Sequence, residues 1–207
     1  VELVKKFRSE SKAESTQKFA LTPTLFCQIA QPKTDYLLVP RVSSERRKYI
    51  PIGFVDKTTI ANDQVLTVAN ATLFHFGVIS SEIHMTWVKY ICGRLKSDFR
   101  YSKDIVYNNF PWPHNPSEKQ KEAIEKAAQK VLDARAQFPN SSLADLYDPL
   151  TMPPALVKAH NELDKAVDLA YRPPPFISET KRIEFLFELY DKYTSGLFAV
   201  DKKKKKK

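Results

Sequence analysis

Three prolines within six residues, Pro111, Pro113 and Pro116, interrupt the chain near its middle. Each fixes φ near −65° and withdraws a backbone N–H, so no helix or sheet ladder runs through them. The chain therefore folds as one kind of structure before the break and another after it, because the apolar spacing differs on the two sides.

Before the break, YLLVP (residues 36–40), YIPIGFV (49–55) and QVLTVA (64–69) are short β-branched and aromatic runs bounded by turn residues, and read as strands. RVSSERRK (41–48) links two of them as a hairpin loop or its flanks. It carries Arg41, Arg46, Arg47 and Lys48 with the hydroxyls of Ser43 and Ser44, a set that suits phosphates. Over 80–92, Ile83, Trp87 and Ile91 recur every four residues beside His84, Val88 and Cys92; this predicts a buried helix, with Gly93 where a left-handed cap would end it. Residues 1–12 predict another helix, with Leu3, Val4 and Phe7 at helical spacing.

After the break the period is helical. Ser117 and Gln120 form a capping box, and Ile124, Ala127, Ala128, Val131, Leu132 and Phe138 give a stripe ended by Pro139. A short turn is expected over 142–147 and longer helices over 156–171 and 178–193, separated by Pro173, Pro174 and Pro175. The predicted class is α+β: a mixed or antiparallel sheet domain with packed helices over 1–113, a small helical bundle over 114–200, and a Lys-rich tail over 201–207.

The formal charge is +9, from 33 basic and 24 acidic residues, but Lys202 to Lys207 supply six of the positives and leave +3 for the rest. No partner is inferred from the tail. Cys27 and Cys92, far apart and in apolar company, are expected as core thiols of a reducing compartment. No apolar run approaches the roughly 20 residues of a membrane helix, and the start lacks a signal peptide's apolar centre, so a cytoplasmic location is expected. The missing initiator Met suggests a fragment.

A nucleotide-like cofactor needs a glycine-rich turn. Gly53, Gly77, Gly93 and Gly196 stand far apart, so no cofactor site is expected in this chain. His75, His84, His114 and His160 lack metal-ligand spacing, and no nucleophile-elbow motif is present; neither a metal site nor a catalytic centre is expected. The run from Pro173 to Phe176 superficially matches a Pro-Pro-aromatic amine-binding motif, but Arg172 and Pro173 occupy the acceptor's place, so it reads as a helix break.

GRLKSDFRYSKDIVYNNFPWP (93–113) mixes charged and amide groups with aromatics. If 94–102 runs extended, Arg94, Lys96, Asp98, Arg100 and Ser102 share one face, and Leu95, Ser97, Phe99 and Tyr101 the other. Cations can donate to guanine and a carboxylate can accept from cytosine, so such a face suits duplex DNA. A solvated amphipathic strand would show the same alternation.

LLVPRVSSERRKYIPIGF (37–54), the block from SSEIHMTW (80–87) through GRLKSDFRYS (93–102), and VYNNFPWP (106–113) resemble the target-recognition domain of MmeI-like DNA methyltransferases. LDARAQFPNSSLADLYDPLTMPPALVKAHNELDKAVDLAY (132–171) is similar to that family's helical C-terminal domain. The likeness implies a parent protein of a restriction-modification or phage-defence system that methylates the exocyclic amine of adenine with S-adenosylmethionine, often beside an endonuclease domain. It implies that this part reads double-stranded DNA and adjoins the methyltransferase domain of the same chain. Lys96 and Asp98 match the position of the family's specificity-determining charged pair, with Arg94, Arg100 and Ser102 as further base-reading candidates. Arg41, Ser43, Ser44, Arg46 and Arg47 would position the DNA backbone. Trp112 is expected to pack the recognition domain on the helical one rather than to stack on a base, as Tyr107 or Trp112 otherwise could. The competing readings are a protein-interaction module docking on the methyltransferase domain or a partner subunit, and an independent hydrolase, for which no residues propose a mechanism.

Overall fold

The computed structural model describes residues 1–27 and 30–198, so the lysine run lies outside the described residues. Two compact units are present, Val1–Pro32 and Lys33–Lys207.

The first unit contains α1 (Glu2–Ser9), α2 (Glu14–Lys18) and a 3-10 turn over Phe19–Leu21. Arg8 ties it together: its guanidinium donates to the carbonyls of Phe19 (3.0 Å), Thr22 (2.9 Å) and Leu25 (3.0 Å). α1 matches the helical spacing of Leu3, Val4 and Phe7, yet buries none of its residues. Cys27 is exposed, not a core thiol as expected, because this unit buries little: Ala20 alone is buried among its described residues.

The second unit opens with β1 (Tyr36–Pro40), β2 (Val42–Ser43), β3 (Gly53–Val55) and β4 (Val65–Ala69). It continues with α3 (Leu73–Ile79), α4 (Glu82–Ile91), β5 (Gly93–Leu95), β6 (Asp98–Arg100) and a π-helix over Lys103–Tyr107. The strands make two antiparallel sheets, ordered β3-β1-β4 and β2-β6-β5. β1 is central, with Leu37 opposite Phe54 on one side and Val68 on the other, which accounts for its run of large apolar residues. Arg41 passes the chain between sheets: its N–H donates to Gln64 O (3.0 Å) and its carbonyl accepts from Tyr101 N–H (2.7 Å).

The expected strand over 49–55 starts only at Gly53. Pro51 cannot donate to a ladder, and Tyr49, Ile50 and Ile52 turn inward instead, at 2%, 3% and 0% exposure. Nor does Gly93 form a left-handed cap. α4 ends at Cys92, whose N–H closes on Val88 O (3.0 Å) while its backbone is already extended, because the chain enters β5 at once.

α5 (Glu118–Ala136), α6 (Leu143–Leu146), α7 (Pro154–Tyr171) and α8 (Glu179–Phe198) follow. The predicted capping box holds, with Gln120 N–H donating to Ser117 Oγ (3.3 Å) and Ser117 N–H to Gln120 Oε1 (2.9 Å). α5 packs along α7 and against α3, and α8 against α4. One contiguous core joins Leu37, Phe76, Ile83, Trp87, Ile124, Leu163 and Leu186. The absence of a side chain at Gly77 sets the approach of α3, since a Cβ there would come within 2.6 Å of Ile124 Cγ2. Across the proline break, Tyr171 Oη donates to Pro111 O (3.0 Å) and Tyr193 Oη to Trp112 O (2.9 Å).

Candidate nucleic-acid interface

Residues 93–100 form a hairpin, which corrects the expectation of one extended strand. Arg94 pairs with Phe99 and Leu95 with Asp98, leaving a two-residue loop of Lys96 and Ser97. Lys96 takes φ 57°. A positive φ at the first loop residue alone is the sign pattern of a type II′ turn, whose twist matches the flanking strands. Because the turn intervenes, the alternation cannot be counted straight through it. Arg94 shares a face with Phe99 and Ser43, whereas Arg100 lies across from Gly93 and Val42, and Asp98 across from Leu95.

Arg94 is used to build the hairpin. Its guanidinium lies 4.2 Å over the Phe99 ring, donates to Ser97 O (3.0 Å) and Lys89 O (3.3 Å), and stands 3.9 Å from a Glu45 carboxylate oxygen. Ser102 caps the π-helix, its Oγ accepting from Ile105 N–H (3.4 Å). Lys96 and Arg100 are exposed, and their side chains have no hydrogen-bond or ion-pair partner among the described residues. Asp98 is half-buried, with Oδ1 accepting from Glu45 N–H (3.2 Å).

That last bond brings the cationic loop to the hairpin. Arg46 is exposed beside Ser44, whose Oγ accepts from Arg46 N–H (3.4 Å). Arg47 is half-buried and donates to Ala144 O of α6 (3.4 Å). Arg41 is half-buried with its Nε enclosed and without a partner. Ser43, proposed from sequence as a phosphate ligand, is only 2% exposed, with its hydroxyl on the interior face beside Phe99. The structure thus gathers Lys96, Asp98, Arg100, Ser44 and Arg46 around the second sheet, while Arg94, Ser102 and Ser43 face structural partners or the interior.

Beneath the loop lies a buried polar layer that the sequence reading missed. Tyr49 Oη donates to Asp164 Oδ2 (2.6 Å), and Glu82 N–H to Asp164 Oδ1 (2.7 Å). Burial pushes the Asp164 carboxyl up to about 6, against the pull of these donors, and raises the Tyr49 hydroxyl well above its ordinary value. The Tyr49 ring stacks on His160 at 4.0 Å. Arg135 donates to Ile52 O (2.7 Å) and, through Nε, to Tyr147 Oη (2.9 Å), which lies 2.7 Å from His160 Nε2. A second His–Tyr pair, His84 with Tyr101 at 2.9 Å, lies within the strand-bearing region. Burial holds both histidines down to about 3, so both are neutral near pH 7. A signal existed: Arg135 and Asp164 sit on the apolar stripes of their helices, where a charge implies a buried partner.

The Trp112 ring meets Phe74, His75, Tyr107 and Phe110, all before the proline break. The Pro111 and Trp112 carbonyls meet the C-terminal helices. Among the described residues no group of three His, Cys, Asp or Glu could hold a metal ion, and no helix is long and apolar enough to cross a membrane.

Residues 1–114 match the family described as MmeI, target recognition domain, and residues 116–198 the one described as MmeI, C-terminal domain. The chain belongs to the MmeI family. DNA methyltransferase A of Bacillus subtilis (strain 168) is 40% identical over 194 residues, which make up 94% of this chain and 22% of that protein. The structure of the Type IIL restriction-modification enzyme MmeI in complex with DNA is 49% identical, with a TM-score of 0.83 over 94% of this chain and 26% of that one. This member therefore spans about a quarter of the length of these relatives.

Proposed function

We propose that this chain reads DNA sequence for a longer S-adenosylmethionine-dependent, adenine-specific DNA methyltransferase of a restriction-modification or phage-defence system, acting in the cytoplasm. The observation that carries the reading is the Asp98–Glu45 bond, which sets a hairpin with unpartnered cations, Lys96 at its tip and Arg100 at its base, beside a cationic loop. In this assignment Lys96 donates to a guanine edge, and Asp98, with Oδ1 on Glu45 N–H, uses Oδ2 to accept from a neighbouring cytosine amine or to steer Lys96. Arg100 reaches the same groove. Arg41, Ser44 and Arg46 contact phosphates, whereas Arg94, Arg47 and Ser102 hold the surface in shape. The relative solved with DNA supports the ligand class.

Binding of the chain without its lysine run to duplexes across a salt series tests this. Affinity should fall with a log–log slope of about −0.9 per phosphate contacted; affinity independent of salt overturns the reading. Exchanging Lys96 and Asp98 together in the intact methyltransferase should change one base of the methylated site, and unaltered specificity at retained activity removes both from the reading set.

The first unit favours a second role. Leu3, Phe7, Leu21 and Phe26 are 84%, 74%, 86% and 81% exposed, which suits contact with the methyltransferase domain of the same polypeptide. Loss of a complex with that domain on changing Leu3 and Phe7 to Ser would support it.

A further inference from the structure

Residues 44–52, between β2 and β3, contain no helix or strand, yet their inner members are as buried as any core residue. A segment this irregular does not fix its own shape, because its backbone lacks ladder partners and its Pro51 lacks a donor. Asp98 holds Glu45 N–H from the hairpin side, and the constraints on the inner members come from the C-terminal helices. α6 receives Arg47 through Ala144 O. α7 receives the Tyr49 hydroxyl through Asp164 and stacks His160 on its ring. α5 reaches Ile52 O with Arg135, whose other donors end on Tyr147, itself bonded to His160. Gly53, where the loop enters β3, faces Leu143 Cδ1 with 3.3 Å from its would-be Cβ, so the exit is packed against α6 as well.

We propose that the C-terminal helices act as a brace that positions the 44–48 loop on the DNA backbone, with Tyr49 and Asp164 as the pair that sets its register. The proposal rests on the DNA-reading assignment above and adds a working part for the helical region, which in itself presents none of the assigned contacts. The logic is geometric. Tyr49 directly follows Arg46, Arg47 and Lys48 in the chain, so the depth at which its hydroxyl is anchored fixes where those cations emerge. Arg47 and Lys48 are further restrained, by Ala144 O and by Glu82 at 3.9 Å, which leaves Arg46 the cation free to meet phosphate. Tyr49 and Asp164 are 2% and 5% exposed, so neither can touch DNA, and any effect on binding must travel through the loop.

The test compares the whole chain with Tyr49→Phe and, separately, Asp164→Asn, each measured for urea midpoint and for DNA affinity across a salt series at a temperature where it is folded. Tyr49→Phe deletes one oxygen and keeps the ring on His160; Asp164→Asn keeps an acceptor for Glu82 N–H and is a second route should the first variant fail to fold. The expected result is an affinity about tenfold weaker, a salt slope shallower by about 0.9, one phosphate, and an unchanged base preference. Wild-type affinity and slope in the folded variants, whatever their stability, overturn the brace. A wild-type chain without a salt slope instead sinks the DNA-reading assignment, so the two failures are distinguishable.

Discussion

The hairpin and the loop beside it are both held in place, but from opposite directions. The hairpin's turn is held by neighbours in sequence, with Arg94 reaching Ser97 O, Lys89 O and the Phe99 ring, all within five residues, while its second strand also pairs with β2. The loop is shaped from afar: Tyr49 and Ile52 are fixed by Asp164 and Arg135, 115 and 83 residues away. Local bracing leaves a tip whose side chains can change without disturbing the core. Remote bracing makes the loop's shape a property of the whole fold. Under the proposed assignment, this division places the base contacts where substitution costs least.

The contrast can be broken most forcefully at Arg135. Arg135→Leu removes the donors to Ile52 O and Tyr147 and leaves both acceptors buried, so we expect about 3 kcal/mol of lost stability in urea denaturation. A loss under 1 kcal/mol would mean the loop holds its own shape. Gly77→Ala forces a methyl against Ile124 where α3 meets α5 and should cost about 2 kcal/mol by the same measurement.

His160 offers a pH test. Its folded pKa lies below its unfolded one, so the unfolded chain takes up the proton first. Its contribution is intact above about pH 6.5 and is lost as pH falls toward 3. His160→Gln should flatten the dependence of stability on pH by about 1.4 kcal/mol per pH unit within that window; an unchanged slope would mean the imidazole charges in place. Smaller still, Arg94→Ala should cost about 1 kcal/mol, since two hydrogen bonds to half-exposed carbonyls are lost. Smallest of all, Lys96→Gly should leave stability within about 0.5 kcal/mol, glycine relieving the positive φ at an entropic cost, while altering base preference. A large destabilisation at Lys96 would erase the distinction between the two regions.

The sequence showed the helical region plainly because its apolar spacing and its Ser117 capping box are local signals that packing then used unchanged. It showed β1 and β4 for the same reason. It hid the hairpin, because Lys96-Ser97 lacks the Asn-Gly or Asp-Gly chemistry that announces a two-residue turn. α3 was hidden too; Leu73 to Ile79 is apolar on nearly every side and too short to display a period. The candidate contacts were legible as a charged block, but their sorting was not. Whether Arg94 faces a partner or solvent depends on Glu45 and Lys89, and whether Ser43 is accessible depends on a strand pairing that spans 56 residues.

The tyrosines that grip the Pro111 and Trp112 carbonyls have a practical corollary for anyone wishing to transplant specificity. A junction cut there would sever a strap rather than a hinge, and a chimera joined at that point would have to re-form both clasps across foreign surfaces. Under the proposed assignment, a portable cassette keeps the recognition and C-terminal domains together through the end of α8, with new specificities written at the hairpin tip inside it rather than carried in by exchanging half of it.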